Sequence, residues 1–344
     1  MEITIFQALW FCLIAVLIAG YFILDGFDLG AGVLYPFIAK NDKEKAIVRR
    51  SIGPVWDGNE VWLLTAGGAL FAAFPPAYAT TFSGFYLAVM LVLFGLIVRA
   101  VSVEFRAHDQ QWGKVWNACF FVGSLLPALL LGVAVGNIFA GIPMDAAGNY
   151  NGFPLFGLIT PFTLLCGVLG LAMFIAQGAT WIALKAPKGS DIQARAAKVR
   201  LPLQIVTLVV FVVVAAYALM GIKPDMMAEL AILRYAFAAL FLVAILLSIF
   251  FAAKKGSDLG AFISQSASAF VLVALFAASM FPNFVVASAT SIGPNITAMS
   301  AANSEYTLMW MTIITCIGLP LVLVYHIIIY RTFRGRVSEE DLDY

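Results

Sequence analysis

Two short stretches of this 344-residue chain set acids among apolar residues: Leu24-Asp25-Gly26-Phe27-Asp28-Leu29-Gly30 and Trp56-Asp57-Gly58-Asn59-Glu60-Val61-Trp62. Both follow the pattern D-G-x-[D/E]. The three-residue spacing puts the two acids of each pair on one face of a helix. Carboxyls inside a bilayer are costly, and they mark proton or ion paths or cofactor sites. Such groups can take up and release protons, so Asp25, Asp28, Asp57 and Glu60 are the candidate proton-path residues. No lysine or arginine is expected within reach inside the spans. The acids would then hold protons, be reached by water, or take a cation from a partner chain. The competing reading is structural: Gly26, Gly30, Gly32, Gly53 and Gly58 would let helices break, and the acids would cap the freed N–H groups.

The elements that must position these acids are membrane helices. Hydrophobic residues make up 62% of the chain and charged residues 11%, against roughly 25% charged in a soluble domain. The apolar runs are long enough to cross a hydrocarbon core and do not alternate as barrel strands would. The chain is therefore expected to be all-α, a polytopic membrane protein forming a single integral membrane domain over 1–344. Nine spans are predicted, at about 6–38, 54–73, 78–101, 115–137, 156–184, 201–221, 232–253, 260–282 and 307–331. Met1-Glu2-Ile3 has no basic n-region, so the first span is expected to stay uncleaved.

Cations cluster in alternate loops. Lys40, Lys43, Lys45, Arg49 and Arg50 follow the first span; Arg99, Arg106 and Lys114 the third; Lys185, Lys188, Arg195, Lys198 and Arg200 the fifth; Lys254 and Lys255 the seventh. Arg331, Arg334 and Arg336 lie in the tail, and only Lys223 and Arg234 approach the other side. The positive-inside rule makes these loops and the C-terminus cytoplasmic and the N-terminus external. At 1.5 Å per residue, Asp28 and Asp25 lie roughly 18 and 22 Å from Lys40, and Asp57 and Glu60 about 10 and 15 Å from Arg50. Two antiparallel neighbours would thus bring four acids together in the cytoplasmic half of the membrane.

Other polar residues read more plainly. Gln177 and Thr180 are expected to hydrogen-bond between helices. Arg99 and Glu104, near a predicted span end, are expected to snorkel, and Trp10, Trp112, Trp181 and Tyr330 to anchor at the interfaces. Cys12, Cys119, Cys166 and Cys316 are isolated, with no C-x-x-C, and read as small core residues without metal. There is no basic stripe for nucleic acid. His108 and His326 are the two histidines, too few for a multi-haem or copper centre, and His326 reads as a satisfied helix-end side chain. No Walker A, HExxH or GxSxG motif is present. From the residues alone the chain carries acids but no redox centre. That fits a chain delivering protons elsewhere, a proton-coupled secondary transporter, or a structural membrane scaffold. Acids confined to the first two spans, unmatched in a second half, weigh against an inverted-repeat transporter.

Residues 20–30, Gly53-Pro54-Val55-Trp56-Asp57-Gly58-Asn59-Glu60-Val61-Trp62-Leu63 and the continuation Thr65-Ala66-Gly67-Gly68-Ala69-Leu70-Phe71-Ala72-Ala73-Phe74-Pro75 resemble signatures of subunit II of cytochrome bd-type quinol oxidases. Phe82-Ser83-Gly84-Phe85-Tyr86 and Ala176-Gln177-Gly178-Ala179-Thr180 are similar as well. The stretch Ile296-Thr297-Ala298-Met299-Ser300 departs from the pattern, which often has an aromatic there. The resemblance spans nearly the whole chain. It implies a homologous, haem-bearing subunit I that ligates two haems b and haem d. It also implies quinol and O2 as substrates, water as product, and protons drawn from the cytoplasm without pumping. In some members it implies a bound quinone and a small single-span accessory subunit. The setting would be the lipid of a bacterial cytoplasmic membrane. On this chain it ranks Asp57 first among the proton-path candidates and puts Trp56 and Asn59 at the haem region or partner interface.

Overall fold

The computed structural model describes residues 3–109, 111–222, 230–254 and 256–338. Lys223 and Lys255 lie outside the described residues. The chain is almost entirely helical: α1 (Ile5–Ile38), α2 (Asp42–Ile52), α3 (Trp56–Ala73), α4 (Pro75–Gly84), α5 (Tyr86–His108), α6 (Gly113–Ala140), α7 (Pro161–Lys185), α8 (Asp191–Tyr217), α9 (Ala231–Ala253), α10 (Asp258–Met280), α11 (Ala298–Ala301) and α12 (Glu305–Thr332). Among the described residues eight helices are long and apolar enough to cross a membrane: α1, α5, α6, α7, α8 with its π-turn extension to Ile222, α9, α10 and α12. The expected second span, α3, has only 18 residues, and its first turns carry Asp57, Asn59 and Glu60, which lower its hydropathy.

The structure differs most from the expected spans at the third, at the loop after α1, and at the sixth, where α8 begins at Asp191, ten residues before the expected 201. The third is broken. Phe74 ends α3 and opens α4, and Phe85 separates α4 from α5, which runs seven residues past the expected end at 101. The loop after α1 folds as an amphipathic helix, α2. Its N-cap Asn41 accepts from the Glu44 N–H at 2.9 Å, and acids in the first turn with Arg49 and Arg50 in the last suit the helix dipole. Glu44 also accepts from Lys40 N–H at 2.6 Å and pairs with Arg195. Burial works against its charge, but these contacts outweigh it and hold the carboxyl below its usual range.

Helix α1 is the axis, packed by α3, α6, α7 and α10. It stays helical from end to end, so Gly26, Gly30 and Gly32 do not break it, and Asp25 and Asp28 cap nothing. The glycines serve close approach instead. A Cβ on Gly30 would stand 1.7 Å from the Phe174 carbonyl oxygen, and one on Gly178 would stand 2.3 Å from the Gly30 carbonyl carbon. Backbones meet directly here, as small residues permit between membrane helices. Gly30→Ala is expected to force α1 and α7 apart and destabilise the protein by about 1–3 kcal/mol or more. Gly68→Ala, where nothing lies within 4 Å of the new Cβ, is the control. Thermal melts of the two purified variants check this, and equal melting temperatures would refute it.

At the end rich in cations the tail straps three helices. Lys185 Nζ donates to Phe333 O and, at 2.9 Å, to Gly335 O. Val337 N–H returns a bond to Lys185 O at 2.8 Å. Arg336 donates to Ala183 and Ala186 carbonyls and pairs with Asp258 at 3.0 Å, which also holds Arg200 at 2.6 Å. At the other end the segments after α6 and α10 pair: β1 (Asn283–Val285) runs antiparallel to β2 (Ile296–Thr297), and Ile142 bridges Ala287. Ile142, Met144, Phe74, Val285 and Ile296 close an apolar cap there.

The expected interface anchors divide. Trp112 is 58% exposed, but Trp10 and Trp181 are buried and Tyr330 is half-buried. Trp10 Nε1 donates to Leu308 O and Thr312 Oγ1, and Trp181 Nε1 to Ser51 O. These rings tie elements together rather than marking the membrane surface. The cysteines are free and are not core residues: Cys12 and Cys316 are exposed, and Cys119 and Cys166 only partly covered. Cys166 packs against Gly136 of α6.

Candidate functional site

The acids of α1 face inward because α3, α6 and α7 cover that side. Asp25 and Asp28 are fully buried. One turn after Asp57, Asn59 and Glu60 point from α3 toward them. Asn59 donates through Nδ2 to Asp28 Oδ2 at 2.8 Å and to the Leu24 carbonyl at 3.1 Å. Its Oδ1 accepts from the Tyr330 hydroxyl of α12 at 2.9 Å. Every polar atom of the Asn59 amide is therefore engaged within the chain.

The cation expected to be absent is present. Arg99 of α5 is 1% exposed, with Nη1 2.7 Å from Asp25 Oδ1 and Nη2 3.4 Å from Glu60 Oε1. It does not snorkel. Two expectations fall together: that no arginine reaches the acids, and that Arg99 points to the membrane surface. The cause is the length of α5. Nine residues follow Arg99 before the helix ends at His108, which places it about 14 Å inside. Glu104, by contrast, is exposed.

Three of the four predicted acids thus come together, with Arg99, Asn59 and Tyr330 as members that spacing alone did not single out. Asp57 does not join them. It lies exposed in the first turn of α3, where its charge suits the helix N-terminus. Trp56 is half-exposed beside it. Three carboxyls face one guanidinium. Full ionisation would leave two surplus negative charges at a site where Asp25 and Asp28 are fully buried and Glu60 partly so, and each uncompensated buried charge is costly. Asp28 Oδ1 and Arg99 Nε have no hydrogen-bond partner among the described residues. Such atoms call for protons or water. The arrangement can hold and exchange protons beneath the surface of the bundle.

Around the cluster the packing is tight. Gln177 Nε2 donates to the Ile23 carbonyl across helices at 2.7 Å, as expected, whereas Thr180 bonds within its own helix to Gln177 O. On the α12 side, Trp62 Nε1 donates to His326 Nε2 at 3.0 Å, and His326 Nδ1 contacts the Val322 carbonyl at 2.9 Å. Nε2 is then the acceptor and Nδ1 carries the proton. Both nitrogens are engaged, as expected of a satisfied histidine. His108 is exposed and bonded to Glu104 O. With both ring nitrogens of His326 engaged and His108 exposed, neither histidine offers a free nitrogen inside the bundle to a haem iron.

Comparison with known proteins agrees with this architecture. The family model for cytochrome bd terminal oxidase subunit II matches residues 6–333. Cytochrome bd-I ubiquinol oxidase subunit 2 of Escherichia coli K12 is 33% identical over 380 aligned residues, covering 99% of this chain and 98% of that protein. Cytochrome bd ubiquinol oxidase subunit 2 of Bacillus subtilis is 37% identical over 336, covering 97% of each. The fold is shared with a chain of the bd oxidase from Geobacillus thermodenitrificans, with a TM-score of 0.74 at 16% identity, covering 96% of this chain and 99% of that one. The chain belongs to the cytochrome bd terminal oxidase subunit II family. It is a multi-pass protein of a bacterial cytoplasmic membrane and one subunit of a haem-containing terminal oxidase complex.

Proposed function

We propose that this chain is the non-ligating half of a quinol:O2 oxidoreductase, and that its buried acids hold protons on their way to the site where O2 is reduced. The observation that carries the reading is the surplus of carboxyls over cations: fully buried Asp25 and Asp28 and partly buried Glu60 around the one guanidinium of Arg99. A structural scaffold needs no such surplus, and an unbroken α1 removes the capping role the acids would have there. A proton-coupled transporter would use similar acids, but membership of an oxidase subunit family points the protons toward O2.

In this reading the chain is one integral membrane unit of nine spans, α3 among them, with its cation-rich end in the cytoplasm. It pairs with a homologous subunit I that ligates two haems b and haem d; those groups supply the electron transfer to O2. Quinol oxidation provides the electrons, and the protons consumed in making water come from the cytoplasmic side. No proton is pumped, yet charge crosses the membrane. Asp57 and Trp56, on the outward side of α3, are the residues of this motif open to subunit I. An apolar cavity of about 180 Å³ toward the other end, lined by Phe11, Phe22, Phe276 and Phe284, is the place in this chain for a bound quinone ring. A small single-span accessory subunit would add to the complex from outside this chain.

A reduced-minus-oxidised visible spectrum of the material purified through this chain tests the reading. Bands of haems b and d, together with a second large subunit, are expected. Purification of this chain alone and free of haem would refute it.

A further inference from the structure

A cavity approaches the acid cluster from the cation-rich end. This cavity, about 370 Å³, opens at the cation-rich end among Arg50, Ser51, Trp181 and the tail strap of residues 332–337. One of its walls is Tyr330. The same residue's hydroxyl donates to Asn59 Oδ1, and Asn59 donates to Asp28. On another wall Trp181 stacks on Phe27, the neighbour of Asp28, with ring centroids 4.1 Å apart. The cavity thus ends one layer of side chains from the buried carboxyls, and the polar members of that layer are Tyr330 and Asn59.

We propose that this cavity is the vestibule through which protons reach the cluster from the cytoplasmic end, and that the Tyr330–Asn59 pair is its gate. The inference rests on the proton-holding role of the cluster and adds its entrance. Three observations support it. Asp28 Oδ1 is buried without a partner, so the carboxyl keeps one oxygen for an incoming proton while Asn59 holds the other. The gate is polar on both of its sides, and its amide cannot itself carry a proton through. A water in the vestibule therefore exchanges with Asp28 only when the Tyr330 hydroxyl and the Asn59 amide swing apart. Finally, the strap that shapes the vestibule is fixed by Lys185, Arg336 and Asp258, which keeps its mouth from collapsing. Tyr330 and Asn59 are positioning residues: they act through Asp28. The route enters from α12 and the strap rather than from the exposed Asp57.

The test uses the whole complex, with Tyr330→Phe, Ile263→Trp at the vestibule wall, and Asp28→Asn. Tyr330→Phe removes the hydrogen bond that fixes the gate, and turnover with quinol is expected to change on the order of tenfold, the effect of one hydrogen bond lost. Ile263→Trp fills the mouth and is expected to slow turnover and raise the solvent deuterium isotope effect, because proton entry becomes limiting. Haem content, which a merely structural role would alter, is expected to stay at the wild-type level in both. Wild-type turnover and isotope effect in both variants, with Asp28→Asn slow, would overturn the vestibule and leave the cluster's role standing. Wild-type turnover in all three would overturn both.

Discussion

Arg99→Gln is expected to abolish the assembled complex. The guanidinium is 1% exposed and holds Asp25 at 2.7 Å and Glu60 at 3.4 Å. Removing one partner of a buried ion pair leaves the other charge without compensation, and the penalty is about 3–5 kcal/mol. Set against a total stability of roughly 5–15 kcal/mol for a domain, that loss takes much of what holds the fold. The shape of the effect is specific. Asp25→Asn introduced together with Arg99→Gln removes both charges and is expected to recover much of the assembly that Arg99→Gln alone loses. The measurement is haem content and the amount of two-subunit complex extracted from membranes. Full assembly of Arg99→Gln would show that the ion pair does not hold the core, and failure of the double variant would assign Arg99 a role beyond neutralising Asp25.

Asp28→Asn is expected to do the reverse: the complex assembles and turnover collapses. The substitution is nearly isosteric, and Asn59 still finds an oxygen to donate to. What disappears is the group that accepts and releases a proton. General acid–base groups contribute typically 10²–10⁴-fold, so a fall on the order of a hundredfold in quinol-driven O2 consumption is expected, with the visible spectrum unchanged. Asp57→Asn provides the contrast. The exposed position of Asp57 gives it no bond within the cluster, and its substitution is expected to cost less turnover than that of Asp28. Equal and large losses in both would place Asp57 on the same proton route, by way of subunit I.

Much of this was legible in the sequence. Apolar runs marked the helices, the D-G-x-[D/E] spacing marked Asp25, Asp28 and Glu60, and depth counting brought α1 and α3 into register. The errors have definite causes. Hydropathy falls where polar residues begin, so the apolar run of the third span ends near 101 and makes Arg99 look like a surface residue two positions from water. The helix continues to His108, because backbone hydrogen bonding is indifferent to whether side chains are wet. Spacing put Asp57 and Glu60 on neighbouring positions of one face, but it could not say which edge of that face points at α1. The break at Phe85 depends on a distant partner: a Cβ on Gly84 would stand 2.8 Å from Tyr150 Cβ. Locally, only Ser83-Gly84 hints at it. The role of Tyr330 is hidden in the sequence because its partner Asn59 is 271 positions away. Amphipathic tyrosines near span ends resemble anchors whatever they touch.

Helix α12 buries a single residue, Leu308, along its whole length. It is tied to the rest at its two ends, by Trp10 near the start and by Trp62 and Asn59 near the finish. Synthesis runs from the N-terminus, and the first helices can settle long before the last emerges. The indole of Trp62 and the amide oxygen of Asn59 therefore wait, unpaired, until residues 326–330 leave the ribosome. A chain truncated before α12 keeps its central bundle but leaves those two polar groups facing lipid. Helix α12 thus reports that synthesis has passed residue 330, and a copy halted before it carries a polar flaw that quality control in the membrane can recognise.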